Sequence, residues 1–245
     1  MKRRSGFTLV EVLIASAIGL LVVGAAMALS VAATRDVDRD VSAFMLEEKL
    51  AEAMVYLQHD FRFTTLASVR AYPRQKGEQV GVSLIAAEPV GSFGTVNLSP
   101  YGSPNWQKQV FYTLVSSKDS NGSTQLVRYE RPLPGNLFQL VSDHQPYEYQ
   151  STPSDRIVCT SVLDQGFDLK AQQDGTMGVA AEADSLGGFT VNFLQNDGTG
   201  TYLNPTENDP KLSTGLVEIE LKLLEFSDLG KTSMLPFRFR VAPRN

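Results

Sequence analysis

The residue whose position most needs a chemical explanation is Glu11, the only charge between Phe7 and Ala33. A carboxylate at the centre of a membrane-spanning helix costs about 2.5–3.5 kcal/mol and requires a partner. The rest of the segment must therefore be explained together with Glu11.

Side chains that commonly support catalysis are few. His59 falls in a predicted helix and His144 in a loop-like Asp-His-Gln-Pro segment, so we expect both to be solvent-exposed. The His-Glu-x-x-His, Gly-x-Ser-x-Gly and Cys-x-x-Cys motifs do not occur. Gly-Lys-Thr at 230–232 is similar to the end of a phosphate-binding loop, but Glu225 replaces the first glycine that such a loop needs. The sequence therefore predicts a protein that is not an enzyme.

A calcium site and a reactive thiol are the other chemical possibilities. Asn196–Gly200 carries oxygen ligands, and Asp174 or Asp209 can add to them, but the alternating acids of a calcium loop are missing. We therefore predict a turn there and expect no cofactor, with calcium left open. Cys159, the single cysteine, lies in a predicted strand and is expected to be a buried small hydrophobe. Pairing with a cysteine of another chain stays open for it.

The apolar segment predicts a membrane-spanning helix, since about 20 residues cross the hydrocarbon of a bilayer. The basic residues of Lys2–Arg4 precede it, which predicts a cytoplasmic N-terminus and a periplasmic remainder. A secretory signal peptide is one alternative, with Ala26–Ala28 as a small-x-small exit, although its apolar part is usually only about 7–15 residues long. A plain N-terminal anchor is the other.

The start of this segment carries a specific pattern. Gly6–Glu11 reads Gly-Phe-Thr-Leu-Val-Glu, follows a short basic leader and opens the apolar helix. It resembles the N-terminus of type IV prepilins and type II secretion pseudopilins. The resemblance implies cleavage between Gly6 and Phe7 by a prepilin peptidase, N-methylation of Phe7 and retention of the helix. It also implies that Glu11 recruits the subunit into the growing filament.

The implied chemistry agrees with the residue types. Gly6 leaves no side chain at the bond to be cut. Cleavage creates a cationic amine at Phe7, about 6 Å along the helix axis from Glu11. A buried carboxylate needs a cation, and the amine of this or a neighbouring subunit can provide one. Glu11 is then expected to set the register between packed helices.

Beyond the membrane the helix is predicted to continue to about Ala67, because no glycine or proline interrupts it. Its apolar stripe follows helical spacing and consists of Leu46, Leu50, Met54, Leu57 and Phe61. After Pro73 the period changes to that of strands. The candidates are Val80–Ala86, Val110–Ser116, Gln125–Arg131, Arg156–Val162 and Phe189–Leu194. The second and third flank a polar Asn-Gly stretch and are predicted to form a hairpin.

The clearest strand pair lies near the end of the sequence. Apolar residues alternate with charged ones in 217–223 and again in 237–241, which predicts an antiparallel hairpin with one face on the core. Pairing Glu218 with Arg240 and Glu220 with Arg238 matches opposite charges on the outer face. Because such exposed pairs contribute less than about 1 kcal/mol, charge is only a minor argument for this register.

The predicted fold is α+β, a long helix whose distal half packs on an antiparallel sheet. The expected organisation is a leader at 1–6, a membrane half of the helix at 7–33, an amphipathic periplasmic half at 34–72 and a β-rich domain at 73–245. Leu57–Arg62, with its Asp-x-Arg pattern, and the ending Phe237–Asn245 resemble PilW-like minor pilins. The minor pseudopilin J of type II secretion is also similar.

These resemblances imply a minor pilin that helps to prime pilus assembly near the tip, with a type II secretion pseudopilin as the first alternative. A soluble secreted enzyme or binding protein is the second. The implied partners are other pilins, the prepilin peptidase and the inner-membrane assembly platform. The net charge of -5 gives no reason to expect direct binding to nucleic acid.

Overall fold

The computed structural model describes residues 8–71, 81–87, 89–90, 95–116, 122–137, 155–172, 177–182, 185, 187–195, 202–203, 215–226 and 232–242. The chain forms two compact units, Met1–Met45 and Leu46–Asn245. One helix, α1 (Leu9–Arg62), begins in the first unit and ends in the second. The predicted α+β fold class is confirmed.

Helix α1 ends at Arg62, five residues before the predicted end near Ala67. The chain turns there because tertiary hydrogen bonds replace the helical ones. The Ala87 N–H donates to the Phe63 carbonyl at 2.8 Å, and the Thr64 hydroxyl donates to the Ile85 carbonyl at 2.7 Å. A short 3-10 helix, Leu66–Ser68, follows.

In the second unit α1 buries one face against the sheet. Leu46, Leu50, Leu57 and Phe61 of the predicted stripe are all buried. Met54 is only half-buried, and the fully buried Ala53 takes its place. The stripe is thus confirmed apart from this one position.

Thirteen strands occur in the described part of the chain, and their pairings are antiparallel. They are β1 (Arg70–Ala71), β2 (Gly81–Ala87), β3 (Pro89–Val90), β4 (Thr95–Val96), β5 (Trp106–Ser116), β6 (Ser123–Leu137), β7 (Arg156–Leu163), β8 (Phe167–Ala171), β9 (Met177–Ala181), β10 (Phe189–Gln195), β11 (Tyr202–Leu203), β12 (Gly215–Phe226) and β13 (Thr232–Val241). Nine of them form one sheet in the order β1-β2-β5-β6-β7-β12-β10-β11, with β13 also paired to β12. Two small hairpins, β3-β4 and β8-β9, form separate two-stranded sheets.

Each predicted strand is present, most of them with longer bounds. The β5-β6 hairpin is confirmed, and both of its strands run beyond the predicted ranges. Residue 80 and the polar stretch at 117–121 lie outside the described residues. The short strands β1, β3, β4 and β11 and the β8-β9 hairpin were not predicted, because two to five residues give too little alternation for a strand signal.

The predicted register of the last hairpin is confirmed. Glu218 lies opposite Arg240 and Glu220 opposite Arg238, and both pairs form salt bridges, at 3.0 and 3.2 Å. The prediction of an exposed outer face is wrong for Glu218, which is only 4 % exposed. The reason is that β10 flanks the other side of β12 and places Asn192 opposite Glu218.

Gly188 allows β7, β10 and β12 to meet closely. Its N–H donates to the Leu163 carbonyl at 2.7 Å, and its carbonyl accepts from the Lys222 N–H at 2.8 Å. A Cβ at Gly188 would lie 2.5 Å from the Lys222 oxygen and 2.8 Å from the Leu163 nitrogen. These neighbours are backbone atoms and have little freedom to move away.

We therefore expect Gly188→Ala to lower the free energy of unfolding by about 2–3 kcal/mol, as overpacking in a close-packed interior does. Urea unfolding of the full chain in detergent, followed by circular dichroism, measures the change. Gly19→Ala is the control, because a Cβ there meets nothing within 4 Å. Equal stability of the two variants would contradict the close packing of the three strands at Gly188.

Candidate functional site

The start of α1 is closed by Thr8 and Glu11. The Thr8 N–H and hydroxyl donate to Oε2 of Glu11 at 2.8 and 2.9 Å, and the Glu11 N–H donates to the Thr8 hydroxyl at 3.3 Å. The Val12 N–H donates to the Thr8 carbonyl at 3.2 Å, which makes Thr8 the residue that caps the helix. This reciprocal arrangement is a capping box, and it satisfies backbone donors that a helix start leaves open.

The capping box gives Glu11 a local role in addition to the predicted one. Its carboxylate fixes the first turn of the helix at Leu9. The spacing Thr-x-x-Glu before an apolar run is a recognised helix-start signal, and it was available in the sequence. Gly6 and Phe7 lie outside the described residues. Pairing of Glu11 with the Phe7 amine therefore stays a prediction.

The first part of α1 is long and apolar enough to cross a membrane. None of the side chains in that apolar stretch is buried within the protein. Large apolar side chains such as Leu9, Leu20 and Leu29 are more than two-thirds exposed. A surface of this kind is stable in lipid or against other helices and not in water.

A buried ion-pair network joins the end of α1 to the sheet. Asp60 is 2 % exposed, and Arg128 on β6 is 7 % exposed. The Arg128 guanidinium donates from Nε to Oδ2 of Asp60 at 2.6 Å and from Nη2 to Oδ1 at 3.1 Å. This two-pronged geometry is the strong form of a charge-assisted hydrogen bond. It fixes the last turn of the helix against one strand.

The network continues from Asp60 and Arg128 toward the protein surface. The hydroxyl of the fully buried Tyr112 donates to Oδ2 of Asp60 at 2.6 Å. Arg128 Nη2 also donates to Oε2 of Glu130 at 3.1 Å, and Lys108 Nζ reaches the same oxygen at 2.5 Å. Glu130 and Lys108 are about one-third exposed. Each charged side chain of the network therefore contacts one of opposite charge, from the buried Asp60 to the partly exposed Lys108.

The network changes the pKa values of its members. Burial by itself raises the pKa of Asp60, but the hydrogen bonds and charge of Arg128, together with the Tyr112 hydroxyl, bring it below its usual value. Burial raises the pKa of Tyr112, and the neighbouring Asp60 charge raises it further. Lys108 and Arg128 outweigh burial and lower the pKa of Glu130. Asp60 is therefore ionised and Tyr112 protonated at neutral pH.

The partner of Asp60 was not predicted from the sequence. Arg62, the arginine of the Asp-x-Arg pattern, is exposed, and the structure pairs Asp60 with Arg128. A signal was present on β6, where Arg128 shares the strand parity of the buried Leu126. A charge at a core-facing strand position needs a buried partner.

The structure describes two of the three residues that the sequence singled out for their chemistry, His59 and Cys159. His59 has a side chain that is 57 % exposed, as predicted, and its ring contacts Phe63 with centroids 4.9 Å apart. His144 lies outside the described residues. Cys159 on β7 is 2 % exposed, which confirms the predicted buried position. Burial raises the pKa of its thiol to about 11.

We expect the Cys159 thiol to react with iodoacetamide only when the protein unfolds, because the reactive species is the thiolate and burial disfavours it. Labelling of the native chain at pH 8 should be on the order of a hundredfold slower than labelling in urea. Intact-mass spectrometry at timed intervals measures both rates. Equal rates would contradict the buried position of Cys159.

Within the part of the chain that the structure describes, no group of three or more His, Cys, Asp or Glu side chains is placed to hold a metal. The calcium candidates at 196–200, Asp174 and Asp209 lie outside that part, as does most of the Gly-Lys-Thr turn at 230–232.

The apolar helix with its capped start, and the antiparallel sheet that follows, are consistent with a pilin-like fold. Residues 1–27 match the family described as the prokaryotic N-terminal methylation motif. This is the type IV prepilin-like signal, and it supports a type IV pilin-like or pseudopilin protein. Such a signal implies interaction with a prepilin peptidase and with other pilins. Comparison with curated proteins and with solved structures found no match.

The same findings bear on catalysis and location. The prepilin-like signal points to a structural pilin rather than to an enzyme. A pilin-type N-terminal helix that is apolar enough to span a bilayer fits a single-pass protein of the inner membrane.

Proposed function

We propose that this protein is a minor pilin of PilW-like type that helps to prime and assemble a type IV pilus near its tip. The observation that carries the proposal is the methylation motif at residues 1–27 leading directly into an exposed apolar helix. A helix of this kind holds a subunit in the membrane before assembly and packs against other helices afterwards. The folded unit Leu46–Asn245 then remains available for recognition of partner subunits.

The proposed processing follows from the motif. Prepilin peptidase cleaves between Gly6 and Phe7 on the cytoplasmic side, and Phe7 is then N-methylated. Glu11 pairs with the amine of Phe7 in this or a neighbouring subunit. The leader is 1–6, the membrane half of the helix 7–33 and its periplasmic half 34–72, and residues 73–245 form a periplasmic domain.

Two features support a minor rather than a major subunit. The chain has 245 residues, and most of them follow the helix and build a large β-rich domain. The resemblance of Leu57–Arg62 and Phe237–Asn245 to PilW-like proteins agrees with this assignment.

A pseudopilin of type II secretion is the second candidate function. The methylation motif favours it equally, because prepilins and pseudopilins share this signal and the match ends at residue 27. The minor pseudopilin J is the nearest type within that alternative.

Deletion of the coding sequence, with complementation by the intact chain, tests the two functions. The minor-pilin proposal predicts loss of surface pili, counted by electron microscopy, with protein secretion into the medium unchanged. Loss of secretion with normal pili would favour the pseudopilin. Immunoblots of the complemented strain check that the protein is restored to its normal level.

A further inference from the structure

Tyr101 is held at the tip of a turn with almost none of its surface covered. The residue is 95 % exposed, the highest value among the large apolar and aromatic side chains described. It lies between β4 and β5, in a turn closed by the bridge between Leu98 and Pro104. Leu98 is itself 56 % exposed. An aromatic ring left in water in this way is a common anchor for binding another protein.

The turn is ordered by its own hydrogen bonds. The hydroxyl oxygen of Ser99 accepts from the N–H groups of Tyr101 at 3.2 Å and Ser103 at 3.1 Å. The Ser99 N–H donates to the Ser103 carbonyl at 2.8 Å, and Gly102 donates to the Ser99 carbonyl at 2.9 Å. Gly102 has a φ of 81°, a left-handed conformation that glycine adopts without strain. Little backbone entropy remains to be lost when Tyr101 binds.

These bonds also occupy most of the N–H groups of the turn. Besides the N–H groups just described, that of Asn105 donates to the Asn97 carbonyl at 2.8 Å, while Pro100 and Pro104 have no N–H. The Ser99 hydroxyl, which is buried, already accepts two bonds. A sugar needs several free donors and acceptors directed at one place. The large side chains that this turn exposes are the Tyr101 ring and the Leu98 side chain.

The sequence on either side of the turn is uncharged. Between Glu88 and Lys108 the sequence contains no Asp, Glu, Lys, Arg or His. In a chain with 20 % charged residues, such a stretch is a local exception. A surface without charge is complementary to a partner surface without charge, because a charged one would lose its water without compensation.

We propose that the turn Leu98–Pro104 docks this protein onto a different pilin-like subunit by inserting Tyr101 into an uncharged, apolar pocket. The inference rests on the proposed function, since it takes the partner from the same filament. The projecting ring fits a concave site, and the internal hydrogen bonds of the turn hold it in place. The phenol hydroxyl stays at the pocket mouth or meets a single polar group.

Site-specific photo-cross-linking in pilus-producing cells tests the contact. The photoreactive residue p-benzoyl-phenylalanine replaces Tyr101 in the full chain, and a second strain carries it at Gln107, an exposed residue of the same uncharged stretch. We expect an adduct from position 101 whose partner, identified by mass spectrometry, carries an N-terminal methylation motif. Position 107 should give at least fivefold less. No adduct, a second copy of this chain, a glycan, or a protein without the motif would overturn the proposal.

Two substitutions measure what the ring contributes. Tyr101→Ala should reduce co-purification of the cross-linked subunit on the order of tenfold or more, whereas Tyr101→Phe should retain most of it. Both variants should melt at the wild-type temperature, because Tyr101 covers almost none of its own protein. Equal co-purification of Tyr101→Ala and wild type would overturn the docking role.

The mature N-terminus, read from the same samples, separates the two proposals. If Phe7 is the processed first residue and position 101 gives no adduct, the docking inference alone is wrong. If the chain is not processed at Phe7, the proposed function is wrong as well.

Discussion

Asp60→Ala is expected to lower the free energy of unfolding by about 3–5 kcal/mol, because it leaves a buried guanidinium without its counter-ion. Arg128 is 7 % exposed and directs two donors at the Asp60 carboxylate. The fully buried Tyr112 loses its hydrogen-bond acceptor at the same time. Glu130 still contacts Arg128, but through one oxygen at 3.1 Å. Chemical denaturation of the full chain in detergent measures the change.

A matched control tests whether the loss of stability comes from the burial of the ion pair or from the removal of a charge alone. Glu182→Ala breaks the ion pair with Lys170, whose side chain is 53 % exposed. That variant should lose no more than about 1 kcal/mol, as exposed ion pairs do. A loss from Asp60→Ala as small as that from Glu182→Ala would contradict the role of the buried network.

The amount by which Asp60 stabilises the fold also depends on pH, and the direction of this dependence follows from its pKa. Its pKa in the folded protein is lower than in the unfolded chain, so folding favours the ionised form. The stabilisation is therefore fully present above the unfolded value, about 3.9, and is lost as the pH falls through the folded value. The stability difference between wild type and Asp60→Asn should be constant from pH 5 to 7 and shrink below pH 4. A difference that grows on acidification would contradict this sign.

Glu11→Ala is expected to leave cleavage intact and to reduce incorporation into filaments on the order of tenfold or more. In the proposed processing, the peptidase acts at the bond after Gly6 and the Glu11 carboxylate serves packing between helices. Removing one partner of a buried charge pair costs about 2–5 kcal/mol, which is more than enough for a tenfold effect. Immunoblots of purified filaments and of membranes measure incorporation and processing together.

The capping box supplies the controls for Glu11. Thr8→Ala removes the side chain that closes the box but keeps the charge, whereas Glu11→Gln keeps an oxygen acceptor for the Thr8 N–H and loses the charge. A role in charge pairing predicts that Glu11→Gln is defective and Thr8→Ala mild, with a cap loss of about 1 kcal/mol. The reverse order would mean that Glu11 acts only as part of the helix cap.

The features that the sequence predicts correctly depend on neighbouring residues. The long N-terminal helix follows from one apolar run with a single charge, and the register of β12 and β13 follows from alternating charges on two adjacent strands. In both cases the residues that decide the structure lie within about twenty-five positions of one another. A periodic pattern reports such structure directly.

The features that could not be predicted from the sequence depend on residues far apart in the chain. Asp60 and Arg128 are 68 positions apart, and nothing near Asp60 distinguishes it from a solvated helical carboxylate. Gly188 is another example, since its constraint comes from β7 and β12 together. The capping box differs, because its signal is local and lies within the residues that define the methylation motif.

Mass spectrometry of the mature N-terminus in native membranes shows whether this chain is processed as a prepilin. We expect a first peptide that begins at Phe7 with an N-methyl group. A chain that begins near Leu29 would instead be a soluble secreted protein. An intact Met1 would make the segment a plain anchor, and either result would contradict the filament role.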